Sequence, residues 1–263
     1  MKREFALRKM DAEASEPVRY FLDLKDDFLI VNEIIGREIN IKHVGYECKS
    51  CGSDEPVYAR GFCKKCYFES PYAGSWIIHP EKSTAHLGIA DRDLSVEKAM
   101  QLQPHYVYLA RTSQVKVGVT RVAQTPNRWI DQGADEALAF MEVPNRYLAG
   151  EAEVALKQHI SDKTNWRAML KPNGGGEDLT KILQELKRHL PGNLLPYLLP
   201  EPLHFAFVYP VEKYPETLKQ MKLNLNEFSG KLAGIKGQYW IFEDGTVWNV
   251  RNHESYVIEM EVL

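Results

Sequence analysis

Every cysteine in the chain lies between Cys48 and Cys66, within ECKSCGSDEPVYARGFCKKCYF. The spacing is a Cys-x-x-Cys pair, an eleven-residue loop and a second such pair. Each pair can aim two thiolates at one ion, and two pairs complete a tetrahedral site. Gly52 and Gly61 supply backbone freedom that such turns use. A disulfide framework and scattered free thiols are the competing readings. The opening MKREFALRKM is charged and lacks an apolar signal core, so the expectation is a cytoplasmic chain, where disulfides are rare. Cys48, Cys51, Cys63 and Cys66 are therefore read as zinc ligands. Four protein thiolates leave no position for water, so this zinc would be structural.

The 263 residues allow one large domain or two to three small ones. Hydrophobic residues at 44% and charged residues at 26% exclude global disorder. The net charge is −3, with 33 basic and 36 acidic residues. Phosphate binding must then rely on local patches. Residues 42 to 66 carry a basic surplus of two, which permits a phosphate-facing role without establishing one. No apolar run approaches a bilayer span, so no membrane partner is expected. No heptad or apolar stripe stands out, which leaves the oligomeric state open.

The pattern predicts an α+β fold. Residues 1–46 read as a β-rich segment, with VRYFLDL, DFLIVNEI and REINIKHV as strands. The zinc module occupies 47–70, and 71–104 is a connector of irregular structure ending in the helix SVEKAMQLQ. Residues 105–199 form a small central domain. Within it HYVYLA and VKVGVT make a hairpin, a helix follows Pro126 and stops near Gly133, and another runs from about 146 to 160. DLTKILQELKRHL is an amphipathic helix. The glycines of KPNGGGED lack the Lys-Ser/Thr of a P-loop. Residues 200–263 are β-rich, with a hairpin at Asp244-Gly245. The two β-rich ends are expected to pair, since each alone has too few strands for a core.

The chemistry concentrates in residues 105 to 160. From 101 to 130 the chain carries Arg111, Lys116, Arg121 and Arg128 and no acid; from 131 to 160 six acids face two basic residues. Cations that hold phosphate beside carboxylates that hold a divalent metal are what phosphodiester cleavage requires. Solvated faces produce such blocks as well.

In HYVYLARTSQVKVGVTRVAQTPNRWIDQGAD followed by YLAGEAEVALKQHI, the order of residues resembles the GIY-YIG nuclease superfamily. Tyr106-Val107-Tyr108 fills the first motif, with Tyr108 in the reactive position, and Lys116-Val117-Gly118 fills the second. Arg128 matches the helix Arg, and Glu153 with Leu156 matches the metal-binding Glu. The resemblance implies a small central sheet and a site of Tyr108, Lys116, Arg128 and Glu153. Tyr106, Gly118, Arg111 and Arg121 would contact substrate, Glu153 would hold Mg²⁺ or Mn²⁺, and the partner would be DNA or RNA. A nearby cation would lower the Tyr108 pKa and make it a base. The sequence departs from the family pattern at Tyr106, in a Gly position, and at Lys116, in a Tyr position; no His follows Arg128. Lys116 could depress the Tyr108 pKa or contact phosphate. The chain is also similar, over residues 20 to 260, to an uncharacterised bacterial family that combines a four-Cys knuckle with KVGVT and RWIDQGA.

Other readings stay open. Tyr106 and Tyr108 are also ordinary strand aromatics, and Arg128 could pair with Asp131 or Asp135. Glu151 and Glu153 flank one apolar face, so periodicity does not choose between them. His79, Glu81 and His86 could form a second metal cluster, though a polar loop explains them too. Trp129 and Trp166 read first as core. Three functions compete: a metal-dependent nuclease, an inactive nucleic-acid-binding protein of the same fold, and a zinc-stabilised protein-interaction scaffold.

Overall fold

Alternating apolar residues build the strands at both ends of the chain, and the computed structural model describes residues 2–160, 164–172, 176–223 and 227–263. The glycine-rich residues 173–175 lie outside the described residues. The strands are β1 (Lys2–Ala6), β2 (Asp11–Glu13), β3 (Arg19–Asp23), β4 (Phe28–Ile30), β5 (Glu38–Tyr46), β6 (His105–Arg111), β7 (Val115–Arg121), β8 (Glu136–Val143), β9 (Leu198–Ala206), β10 (Lys219–Gln220), β11 (Glu227–Lys236), β12 (Tyr239–Phe242), β13 (Thr246–Asn249) and β14 (Tyr256–Val262). The helices are α1 (Lys64–Glu69), α2 (Leu94–Gln101), α3 (Asn127–Asp131), α4 (Arg146–Leu156), α5 (Trp166–Met169) and α6 (Leu179–Leu186). Among the described residues no helix is long and apolar enough to cross a membrane. The fold is α+β.

The chain divides into two compact units, Met1–Glu69 with Phe207–Leu263, and Ser70–Ala206. In the first, a seven-stranded sheet has the order β1-β14-β5-β11-β12-β13-β10, so strands from both ends of the sequence interleave. Met260 pairs with Ile41 and Phe5 with Ile258, and all four side chains are buried. Burying one face of each strand fixes this register, because a one-residue slip would expose every apolar side chain. The β12–β13 hairpin turns at Asp244-Gly245, where Gly245 has φ +84 and Asp244 Oδ1 accepts the Thr246 N–H at 2.8 Å. Trp240 and Trp248 meet edge to face, 5.2 Å apart, in the core beneath it. A second sheet, β2-β3-β4, completes the unit.

The second unit holds an antiparallel sheet of order β7-β6-β8-β9. Val107, Leu109, Val117, Val119, Leu138 and Phe140 pack against Ala149, Ala152 and Leu156 of α4 and Leu179, Leu183 and Leu186 of α6. Asn145 caps α4 by accepting the Leu148 N–H at 3.0 Å, a common way to satisfy a first-turn donor. The connector is a run of short 3-10 turns, among them Ser75–Ile77 and Pro80–Lys82, and belongs to this unit. Two details differ from the sequence reading. Helix α4 ends at Leu156, short of residue 160. The strand Leu198–Ala206 bonds to β8, so the change of unit follows Ala206 rather than falling near residue 200.

Candidate functional site

The four cysteines converge as their spacing requires. Their sulfur atoms lie within 4.8 Å of one another, and Cys51 Sγ is 3.9 Å from Cys63 Sγ. Tetrahedral ligands at a Zn–S length of about 2.3 Å sit about 3.8 Å apart. The first turn closes with Cys48 N–H donating to Ser53 O and Gly52 N–H to Cys48 O, both at 2.8 Å. The Cys63 amide donates to Cys48 Sγ at 3.3 Å, and α1 carries Cys66. Gly52 and Gly61 both have positive φ, at +71 and +78.

Burial pushes the Cys48 thiol up, but amides of Cys63, Cys51 and Ser50 outweigh it and bring it to about 6. Burial and hydrogen bonds from Cys51 push Cys66 up to about 12. Gathered thiols resist sharing negative charge, and a divalent cation removes that conflict. All four cysteines are free thiols, and together they can hold a metal ion such as zinc. Among the described residues they are the one such cluster of three or more His, Cys, Asp or Glu.

A different group assembles around Tyr108 in the second unit. Tyr108 on β6 is opposite Gly118 on β7 and is buried. A Cβ at position 118 would meet the Tyr108 Oη at 2.7 Å and Cζ at 2.8 Å. Gly118 thus seats the phenol ring, and that space is filled by protein rather than left for substrate. Trp129 of α3 packs edge to face on the ring at 5.6 Å, and Gln132 Nε2 donates to the hydroxyl at 3.0 Å. Arg128 and Glu153 both act on the same phenol: the guanidinium and the carboxylate lie within electrostatic reach of it, with opposite effects.

Net, the Tyr108 pKa lies above the ordinary phenol value. Burial is the largest cause, Arg128 and Gln132 oppose it, and Glu153 adds to it. The expectation that a cation makes Tyr108 unusually acidic is corrected: Arg128 is in place, but desolvation outweighs it.

Helix α4 also lays Arg146, Gly150 and Glu153 along one stripe, at i, i+4 and i+7. Arg146 is half-buried and donates from Nε to Trp76 O at 3.0 Å and from Nη2 to Ile77 O at 2.7 Å. Burial lowers its pKa to about 10; Glu153 and Glu81 oppose this, while Arg128 and Arg121 reinforce it. Arg121, Arg128, Glu81 and Glu153 are therefore all within electrostatic reach of Arg146. Gly150 is where the helix meets the backbone of Pro80 and Glu81; an added Cβ would sit 2.5 Å from the Pro80 carbonyl carbon. Gly→Ala usually strengthens a helix. Here Gly150→Ala should instead destabilise by about 1–3 kcal/mol through overpacking, read as a lowered urea midpoint at constant m.

The structure separates the two glutamates that periodicity left equivalent. Glu151 accepts the Tyr147 hydroxyl at 2.8 Å, whereas Glu153 acts on Tyr108 and Arg146. The His79, Glu81 and His86 trio divides: His79 Nδ1 is 3.3 Å from Glu81 Oε1, while His86 stacks on Tyr147. Glu81 Oε2 is buried and makes no hydrogen bond among the described residues.

Other expected site residues have partners elsewhere. Lys116 is buried and donates to Thr164 Oγ1 at 3.0 Å, beside Thr112. Arg111 pairs with Glu136 at 2.7 Å and donates to Glu177 O at 2.7 Å. Burial raises the Tyr106 pKa most, and the nearby Glu142 carboxylate adds to it. Gln132 and Arg146 escape the sequence reading, and Glu81 enters it only beside His79 and His86. Gln132 follows Arg128 by four residues, the spacing that places both side chains over one neighbour. Nothing local marks the approach of Glu81 to α4.

The chain matches, over residues 36–258, the family described as Protein of unknown function (DUF2797), and it belongs to that family. No curated protein and no solved structure matches it.

Proposed function

We propose that this DUF2797 chain is a metal-dependent phosphodiesterase of the GIY-YIG type that cleaves nucleic acid at Tyr108, Arg128 and Glu153. The observation that carries this reading is their convergence. A helix Arg and a Glu from a later helix both lie within electrostatic reach of a strand Tyr, in the order the resemblance implies.

The roles follow from the chemistry of each group. Arg128 presents a planar fork that binds the scissile phosphate and offsets charge as it builds. Tyr108, held by Gln132, takes the proton from the attacking water. Glu153 is the carboxylate that would hold Mg²⁺ or Mn²⁺. A single carboxylate suits Mg²⁺, which keeps several waters and takes phosphate oxygens as ligands. The buried free oxygen of Glu81 offers a further acceptor near Arg146. Such a cation would supply Lewis-acid polarisation of the phosphate. Arg146 lies within electrostatic reach of Glu153 and ties α4 to the Ser75–Ile77 turn.

The raised Tyr108 pKa gives the test its sign. The base form is scarce at neutral pH and grows as pH rises toward a pKa above 10. Cleavage should climb about tenfold per pH unit between pH 7 and 9, and Tyr108→Phe should abolish the slope along with most of the rate. A flat profile with Tyr108→Phe fully active would overturn the role of Tyr108.

The same burial supports a second reading, a nucleic-acid-binding protein of this fold that has lost its chemistry. The phenol is held protonated, and Lys116 is engaged by Thr164. It predicts salt-sensitive binding without cleavage.

A further inference from the structure

We propose that one face of the four-Cys module, formed by Tyr58, Tyr67 and Phe68 with Arg60, Lys64 and Lys65, binds single-stranded nucleic acid by stacking its bases. The three rings form a continuous cluster, with centroids 5.1 Å apart for Tyr58–Tyr67, 5.6 Å for Tyr58–Phe68 and 5.3 Å for Tyr67–Phe68. Tyr58 and Phe68 are 54% and 56% exposed. Large aromatics grouped at such exposure are unusual on a surface with no partner. Arg60 lies over the Tyr67 ring, 5.2 Å from its centroid.

Between the exposed acids Asp54 and Glu55 on one side and Glu69 on the other, the ring-bearing segment itself is basic. Residues 56 to 68 carry Arg60, Lys64 and Lys65 and no acid, although the whole chain is net acidic. Lys64 and Lys65 are exposed and precede Tyr67 and Phe68 by one turn of α1. This is what a single strand needs, with flat apolar faces for unpaired bases and cations beside them for phosphates. Duplex DNA hides its base faces and gains little from exposed rings.

The metal ligands hold the platform in shape. The Tyr58 amide donates to Phe62 O at 2.8 Å, directly before Cys63, and the Tyr67 amide to Cys63 O at 2.9 Å. Tyr67 and Phe68 immediately follow Cys66. Bound metal would thus pre-order the rings and lower the entropic cost of binding.

The choice of a nucleic-acid ligand rests on the phosphodiesterase reading, and the experiment separates the two. Fluorescence anisotropy on the full-length, zinc-loaded chain, without added Mg²⁺, would compare labelled single-stranded oligonucleotides with duplexes of the same sequence. Wild type should bind single strands more tightly. Tyr58→Ala with Phe68→Ala should weaken that binding about tenfold or more, with zinc content and circular dichroism unchanged. Lys64→Gln with Lys65→Gln should flatten the salt dependence by about 0.7 for each phosphate that is no longer neutralised. Unchanged affinity in the aromatic variant, equal affinity for duplex, or no binding at low salt would overturn the proposal. Wild type that binds single strands through these rings yet never cleaves with Mg²⁺ or Mn²⁺ would overturn the phosphodiesterase reading and leave this surface standing.

Discussion

Arg128→Ala should slow divalent-metal-dependent cleavage about 10²–10³-fold, the usual cost of removing one pre-oriented donor from a developing oxyanion. The guanidinium lies within electrostatic reach of Tyr108 and of Arg146, so its charge is already placed beside the phenol before substrate arrives. Arg128→Lys should recover only part of the rate, because an ammonium keeps the charge but cannot form the two-pronged phosphate contact. Stability should change little, since the side chain is half-exposed on a short helix. Glu153→Gln should produce a comparable loss with a distinct signature: partial recovery at high Mn²⁺, because it weakens capture of the cation rather than of the phosphate. Full activity in both variants, with unchanged melting, would remove these residues from the mechanism.

Loss of the thiolate-bound ion should have the second large effect, on structure rather than rate. Purified chain should carry one zinc, and Cys63→Ser should abolish stoichiometric binding. Structural zinc contributes roughly 10–16 kcal/mol of binding free energy in small modules. The module's order rests on little apolar packing: Phe62 is buried, but most of residues 49 to 60 are exposed or half-exposed. Without the ion, the link from Cys48 to Cys63 and the start of α1 lose their anchor. Limited proteolysis should then cut rapidly between residues 49 and 67 in Cys63→Ser and slowly in wild type. Equal zinc content and equal cutting in the two proteins would show that the cysteines are not ligands.

Much of the fold can be read from local patterns. The four-Cys spacing, the β6–β7 hairpin and the Asp244-Gly245 turn each have a short-range cause, and each is present. Strand β8 is the informative failure. EALAFMEV shows no alternation because β8 is buried along most of its length; a strand covered on both faces lacks the period-two signal. Strand β9 is hidden for another reason: the four prolines of LPGNLLPYLLPEP look like a boundary, which assigns residues 200–206 to the wrong unit. The edge position of β9 in the sheet accommodates Pro200 and Pro202.

The candidate site is legible in part for the same reason. Tyr108, Arg128 and Glu153 keep an order that sequence can carry. Gln132 is accessible through its spacing from Arg128. Glu81 and Arg146 meet only because Gly150 lets a distant turn approach α4, and no periodic signal encodes that. Lys116 shows the converse. Strand alternation places it on the Gly118 side, yet Thr164 takes its ammonium, which only tertiary structure determines.

The central claim is tested most directly by incubating folded, zinc-loaded wild type with labelled single-stranded, duplex, flap and branched DNA and with structured RNA. Each substrate would be tried with Mg²⁺, with Mn²⁺ and with neither. The account predicts cleavage of at least one substrate, only when a divalent ion is present, and its loss in Arg128→Ala. A folded protein that leaves every substrate intact under all three conditions, or an Arg128→Ala variant that cleaves as well as wild type, would contradict it.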